Sequence, residues 1–222
     1  MIDTKTITEY NTLGYKLNID DLHRIKLLQD TIESNGIEFK YFLTLDYWFK
    51  MDDIDRVVED NRHLKKVIQS FCNDEVKMLF FTEKHLDPDS NVFGGFHRHI
   101  LLEDIPESKW KKPSSQMKRW MNEVTEKEIK KYHHLSDVRF IPPRMALIHK
   151  VVKGLHHSTP NGFLGLKLLL VNNVDGLLSY CTKQNRNNIP HEYVIDTKNS
   201  SCLDDKFIRR LRSHVRYKIA SC

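Results

Sequence analysis

The chain has 222 residues, 40% of them hydrophobic and 29% charged, which is typical of a globular protein and excludes disordered or collagen-like classes. A net charge of +5 permits nucleic-acid binding without requiring it. The sequence has no apolar run of about 18 residues, no basic-then-apolar N-terminus and no Cys-x-x-Cys, so we expect a cytoplasmic protein with free thiols and no membrane partner.

The first predicted elements alternate between helix and strand. Apolar residues at helical spacing predict a helix over residues 19–35, which Gly36 can end. The aromatic and β-branched residues of 37–49 predict a strand. Asp52-Asp53 then offers a cap for a second helix that runs to about Cys72.

Two further strands are predicted around a loop rich in Pro, Asp, Asn and Gly. The first covers residues 77–85, and the second begins at Phe96. In the second strand His97 and His99 alternate with Arg98, so both imidazoles lie on one face and can bind one metal ion. We expect the two strands to form an antiparallel hairpin.

A carboxylate from the neighbouring strand would complete the metal site. We take Glu83 as the third ligand, in a register that places it opposite His99 and places His85 opposite His97. His85 and Asp87 are rivals, because a slip of one residue reverses the faces of a strand. Such mixed nitrogen and oxygen ligands suit Mg²⁺ or Mn²⁺, and the imidazoles also suit zinc.

The middle of the chain is less regular. Residues 107–133 are predicted to be helical with a break near Pro113, and 138–141 and 146–152 are short strand candidates. The apolar segment 163–171 is ambiguous between strand and helix. The adjacent histidine pairs at 133–134 and 156–157 point apart, so we interpret both as loop residues rather than as metal ligands.

The next predicted helix carries Tyr180 and Lys183, which lie three residues apart and therefore on one helix face. A tyrosine hydroxyl near a metal-bound phosphate can act as a nucleophile and form a covalent phosphodiester. The lysine can stabilise charge on the phenolate or the phosphate. Tyr47 and Lys50 have the same spacing, but at the end of a predicted strand, where they would face apart.

Residues 204–218 predict a short amphipathic C-terminal helix whose polar side is basic. Its arginines can contact DNA phosphates, or they can simply form a solvated helix surface. The candidates for nucleic-acid binding are Arg209, Arg210, Arg212 and Arg216.

Three segments, in this order, resemble motifs of the HUH endonuclease superfamily, and within it the single-tyrosine rolling-circle replication initiators of plasmids and small viruses. Phe42-Leu43-Thr44-Leu45 is similar to motif I. Phe96-His97-Arg98-His99-Ile100 is similar to the His-hydrophobic-His strand, and Tyr180-Cys181-Thr182-Lys183 to the Tyr-x-x-Lys helix. The resemblance covers roughly residues 37–185.

The resemblance implies an α+β fold, a central antiparallel sheet with flanking helices of the ferredoxin or RRM-like type. It implies that Tyr180 nicks single-stranded or hairpin origin DNA and holds the 5′ end, with Lys183 assisting and with His97, His99 and a third ligand binding Mg²⁺ or Mn²⁺. We expect an N-terminal helical segment (1–36), a nuclease domain (37–190) and a basic C-terminal helix (191–222). No phosphate-binding Gly-x-x-x-x-Gly-Lys motif occurs, so unwinding would need a separate helicase.

Arg98 departs from the family pattern, in which the residue between the histidines is usually apolar. A charge on the helix-covered side must lie near a sheet edge, extend to solvent or meet a carboxylate. Three other functions fit parts of the pattern: an HUH transposase or mobilisation protein, a non-catalytic RRM-like nucleic-acid-binding module, and an unrelated zinc hydrolase.

Overall fold

The structure is a computed structural model, and it describes residues 19–45, 47, 51–84, 95–112, 114–115, 118–119, 166–171, 173–182 and 194–221. Within these ranges, no helix is both long enough and apolar enough to cross a membrane. Several predictions fall outside the described residues: the strands at 138–141 and 146–152, both histidine pairs, and the roles of His85, Asp87 and Lys183.

The described elements are four helices and four strands, which confirms the predicted α+β class. In chain order they are α1 (Ile19–Ser34), β1 (Phe39–Leu45), α2 (Ile54–Ser70), β2 (Met78–Lys84), β3 (Phe96–Glu103), β4 (Leu166–Leu170), α3 (Val174–Thr182) and α4 (Asp205–Ser221). A short 3₁₀ turn, Glu107–Lys109, follows β3.

The strands form one antiparallel sheet in the order β2-β3-β1-β4. The three strands β1, β2 and β3 were predicted as strands, and β3 lies inside the sheet between the other two. The ambiguous apolar segment contains β4, which pairs with β1 so that Leu168 lies opposite Leu43. The segment forms a strand rather than a helix because its backbone pairs with the edge of β1 that β3 does not occupy.

The sheet has two covered faces, because side chains alternate along each strand. The His face carries His97, His99 and Leu101, and it packs against α1, α3 and α4. The Arg face carries Arg98, Ile100 and Leu102, and it packs against α2. The predicted hairpin therefore lies in the middle layer of a three-layer arrangement.

Local signals set the ends of two helices. The Asp53 side chain accepts a hydrogen bond from the Arg56 backbone N–H at 3.1 Å and caps α2, as predicted. Gly36 follows α1 with φ of 59°, a left-handed conformation that favours glycine, and its N–H donates to the Glu33 carbonyl.

Residues 194–201 line the outer edge of β2. The Asp196 N–H donates to the Phe80 carbonyl at 3.0 Å. The Phe80 N–H donates to Ser200 Oγ at 3.0 Å, and the Met78 N–H donates to Ser201 Oγ at 2.9 Å. Serine hydroxyls therefore satisfy backbone groups that an additional strand would otherwise pair, and they protect this edge from intermolecular pairing.

Candidate metal centre

The pairing of β2 with β3 brings Glu83 to the two histidines. Glu83 lies directly opposite His97, and Phe81 lies opposite His99. The predicted register, with Glu83 opposite His99, was therefore wrong by two residues. A two-residue shift preserves the face of every side chain, so Glu83 remains on the His face beside both imidazoles.

Three donor atoms converge at this point. Glu83 Oε2 lies 3.1 Å from His97 Nε2 and 2.6 Å from His99 Nε2, and the two Nε2 atoms are 3.1 Å apart. Three adjacent ligands of an octahedral ion with bonds of about 2.1 Å lie about 3.0 Å from one another. The donors are thus spaced as three ligands of one divalent cation.

Burial and charge make this group suitable for a cation. All three residues are buried, with Glu83 only 3% exposed. Burial raises the pKa of the Glu83 carboxyl, but hydrogen bonds and charge from His97 and His99 lower it by more, to about 2. The carboxylate is ionised at neutral pH. Two imidazoles and one carboxylate accommodate Mg²⁺, Mn²⁺, Fe²⁺ or Zn²⁺.

Strand β1 contributes two contacts to His99. Thr44 lies directly opposite His99, and its Oγ1 is 3.0 Å from His99 Nδ1. The Phe42 ring stacks on the imidazole with 5.2 Å between centroids and 13° between planes. The sequence singled out both residues only as part of a motif, because cross-strand contacts depend on register.

Tyr180 lies beside the same imidazole. It is a half-buried residue of α3, and its ring meets the His99 ring edge-on with 5.3 Å between centroids. The structure therefore brings Glu83, His97, His99 and Tyr180 together. The fifth predicted site residue, Lys183, lies just beyond the described part of α3.

The second Tyr-x-x-Lys copy has a different environment. The Tyr47 hydroxyl donates to Asp60 Oδ2 at 2.8 Å, and the Tyr47 ring lies under the Arg98 guanidinium. Both contacts are on the Arg face, across the sheet from the metal donors. Burial raises the pKa of the Tyr47 phenol well above its usual value, so deprotonation for nucleophilic attack is disfavoured there.

Arg98 satisfies its charge in a way the sequence did not predict. It is fully buried in an interior strand, so neither the sheet edge nor solvent receives its side chain. Its guanidinium lies 4.9 Å from the Tyr47 ring centroid, and Nη1 donates to Asn61 Oδ1 at 3.3 Å. The Asn61 Nδ2 in turn donates to the Asp196 carboxylate at 3.0 Å. Among the described residues, Asn61 of α2 thus links the guanidinium to a carboxylate.

The basic C-terminal helix forms as predicted. Phe207 and Leu211 pack into the core on the His face, while the polar side stays in solvent. Arg209, Arg210 and Arg212 are exposed, whereas the side chain of Arg216 is outside the described set. Among the described residues, Cys72, Cys181 and Cys202 are buried and in no disulfide bond.

A scan against protein-family models and searches of curated proteins and of solved structures found no match for this chain. The α+β sheet and its buried Glu-His-His group are compatible with an HUH motif.

Proposed function

We propose that this chain is a metal-dependent single-strand DNA endonuclease and strand transferase that initiates rolling-circle replication. The contact of Tyr180 with His99 carries the proposal, because the tyrosine ring lies against one of three residues whose donor atoms converge. The proposal includes the ferredoxin or RRM-like arrangement of the HUH superfamily, and the antiparallel sheet supports it.

In this mechanism the Tyr180 hydroxyl oxygen attacks the scissile phosphorus of single-stranded or hairpin origin DNA. A bond forms between the phenolic oxygen and phosphorus, and the bond from phosphorus to the 3′ oxygen breaks. The 3′ oxygen takes up a proton and leaves as a free hydroxyl, while the 5′ end stays on the protein. Reversal of the same step by a 3′ hydroxyl rejoins the strand.

Glu83, His97 and His99 would hold Mg²⁺ or Mn²⁺, which supplies Lewis-acid stabilisation of the phosphate. A phenol has an ordinary pKa of about 10, so Tyr180 needs help to lose its proton. Lys183, three residues after Tyr180 in the sequence, would supply positive charge for that purpose. The exposed arginines of α4 would contact DNA phosphates, and a separate helicase would unwind the duplex.

A covalent-adduct assay tests the proposal. The full chain is incubated with single-stranded and hairpin oligonucleotides from its own replicon, with Mn²⁺ or with EDTA, and resolved on a denaturing gel. We expect a shifted protein–DNA band that requires Mn²⁺ and is absent in Tyr180→Phe.

Tyr47→Phe is the matched control, because it removes the other tyrosine with Tyr-x-x-Lys spacing, on the Arg face. It should keep the adduct. An adduct formed by Tyr180→Phe at the wild-type rate would disprove the assignment of the nucleophile. DNA binding that ignores EDTA and never yields an adduct would instead favour a non-catalytic binding module. Replication and transposition share this chemistry, and the DNA flanking the gene separates them.

A further inference from the structure

His99 is contacted through both of its ring nitrogens. Its Nε2 faces Glu83 and His97, and its Nδ1 lies 3.0 Å from Thr44 Oγ1. Thr44 can reach Nδ1 because the two residues are direct partners in the pairing of β1 with β3, which sets their side chains next to each other on the His face. Stacking by Phe42 fixes the plane of the same ring.

The tautomer of a histidine decides which nitrogen can bind a cation. A neutral imidazole carries one N–H, so Nε2 offers a lone pair only when the proton is on Nδ1. His99 is buried, and a buried N–H needs an acceptor. A threonine hydroxyl can accept from Nδ1–H, and it can also donate to Nδ1 when Nε2 holds the proton. The Thr44 hydroxyl can therefore hydrogen-bond to His99 Nδ1 both when Nε2 binds a cation and when Nε2 carries the proton.

We infer that Thr44 is a positioning residue of the metal centre, whose hydroxyl accepts a hydrogen bond from Nδ1–H of His99 and so holds the ring with Nε2 towards the cation. The inference rests on the metal centre that the proposed function requires. It also gives the segment Phe42–Leu45 a physical role in this chain, because Phe42 and Thr44 orient one ligand from the neighbouring strand.

The test measures Mn²⁺ affinity by calorimetry on the full-length wild type, Thr44→Val and Thr44→Ser. Valine keeps the branched shape and suits a strand, but it cannot accept from Nδ1–H. Loss of the partner of a metal-binding histidine typically weakens metal affinity by about 10- to 100-fold. We expect a loss of about 10-fold in Thr44→Val, because Thr44 is only half-buried, and near wild-type affinity in Thr44→Ser.

Thr82→Val is the matched control. Thr82 precedes Glu83 on β2 but lies opposite Arg98, on the Arg face. Its buried hydroxyl has no hydrogen-bond partner among the described residues, so its removal breaks no bond there. This variant should bind Mn²⁺ like the wild type.

A second readout is the nitrogen NMR spectrum of histidine-labelled protein with Zn²⁺, which is diamagnetic. Zinc on Nε2 leaves the His99 proton on Nδ1 in every variant, so the tautomer should not change. The Nδ1 resonance should carry the shift of a hydrogen-bonded N–H in the wild type, and Thr44→Val should lose that hydrogen-bond shift. Wild-type Mn²⁺ affinity in Thr44→Val would overturn the positioning role alone. A wild-type chain that binds neither Mn²⁺ nor Zn²⁺ would overturn the metal centre itself, and with it both proposals.

Discussion

Arg98 separates the two candidate ligands in the sequence but points to the opposite face of the sheet. A buried guanidinium is costly unless other groups compensate it. Here the Tyr47 ring provides its electron-rich face, and Asn61 accepts a hydrogen bond and passes the contact to Asp196. The chain therefore keeps a buried charge on the Arg face, between two histidines that lie on the His face.

We predict that Arg98→Met lowers the free energy of unfolding by about 1–3 kcal/mol, because it removes a hydrogen-bond donor from the buried Asn61 Oδ1. Urea denaturation measures the change. The control is Arg62→Met, which removes an exposed arginine paired with Glu59 on α2 and should have little effect. Equal stability of Arg98→Met and the wild type would show that this network makes no net contribution.

At the scale of elements, local sequence patterns predicted the features that depend on residues close together in the chain, such as helix positions and helix caps. Apolar spacing located α1, α2 and α4, and residue type alone indicated Asp52-Asp53 as the start of α2, where Asp53 forms the cap. The face of Glu83 was also predictable, because alternation along β2 survives a two-residue shift. The register of β2 against β3 was not predictable, because the sequence between these strands has no turn signature that fixes which residues pair.

Contacts between distant segments were beyond the reach of sequence patterns. In the sequence Asn61 is one more polar residue of α2. In the structure it is fully buried and hydrogen-bonds both to Arg98 and to Asp196, which follows Asn61 by 135 positions. The hydrogen bond between Thr44 and His99 spans 55 positions and depends on the register of two strands. The spacing of residues within a single helix or strand does not show which distant residue each of these side chains contacts.

The edge of β2 allows an element-scale prediction. The Phe80 N–H is buried and donates to the Ser200 hydroxyl, so Ser200→Ala leaves it without that acceptor. We expect a loss of about 1–3 kcal/mol in stability and faster hydrogen exchange at the Phe80 amide. Ser213→Ala removes an exposed hydroxyl of α4 and should change stability by less than about 0.5 kcal/mol. Unchanged hydrogen exchange at the Phe80 amide would mean that another group accepts its hydrogen bond in the variant.

At the scale of the whole molecule, the two covers of the sheet differ in what they contribute. The cover on the His face includes α3, which carries Tyr180, and α4, on whose described part Arg209, Arg210 and Arg212 are exposed. The cover on the Arg face is α2, which also exposes three basic residues, Arg56, Arg62 and Lys66. If DNA binds where the metal donors lie, charge on α4 should matter more than equal charge on α2.

We predict that replacing Arg209, Arg210 and Arg212 together by Gln weakens binding of single-stranded DNA and flattens its salt dependence. Each lost phosphate contact lowers the slope of log affinity against log salt by about 0.7, so three contacts would lower it by about 2. Fluorescence anisotropy in EDTA measures binding without cleavage. The matched triple Gln variant of Arg56, Arg62 and Lys66 removes the same charge from the other side of the sheet. Equal loss in both variants would mean that net charge, rather than a surface on α4, attracts the DNA.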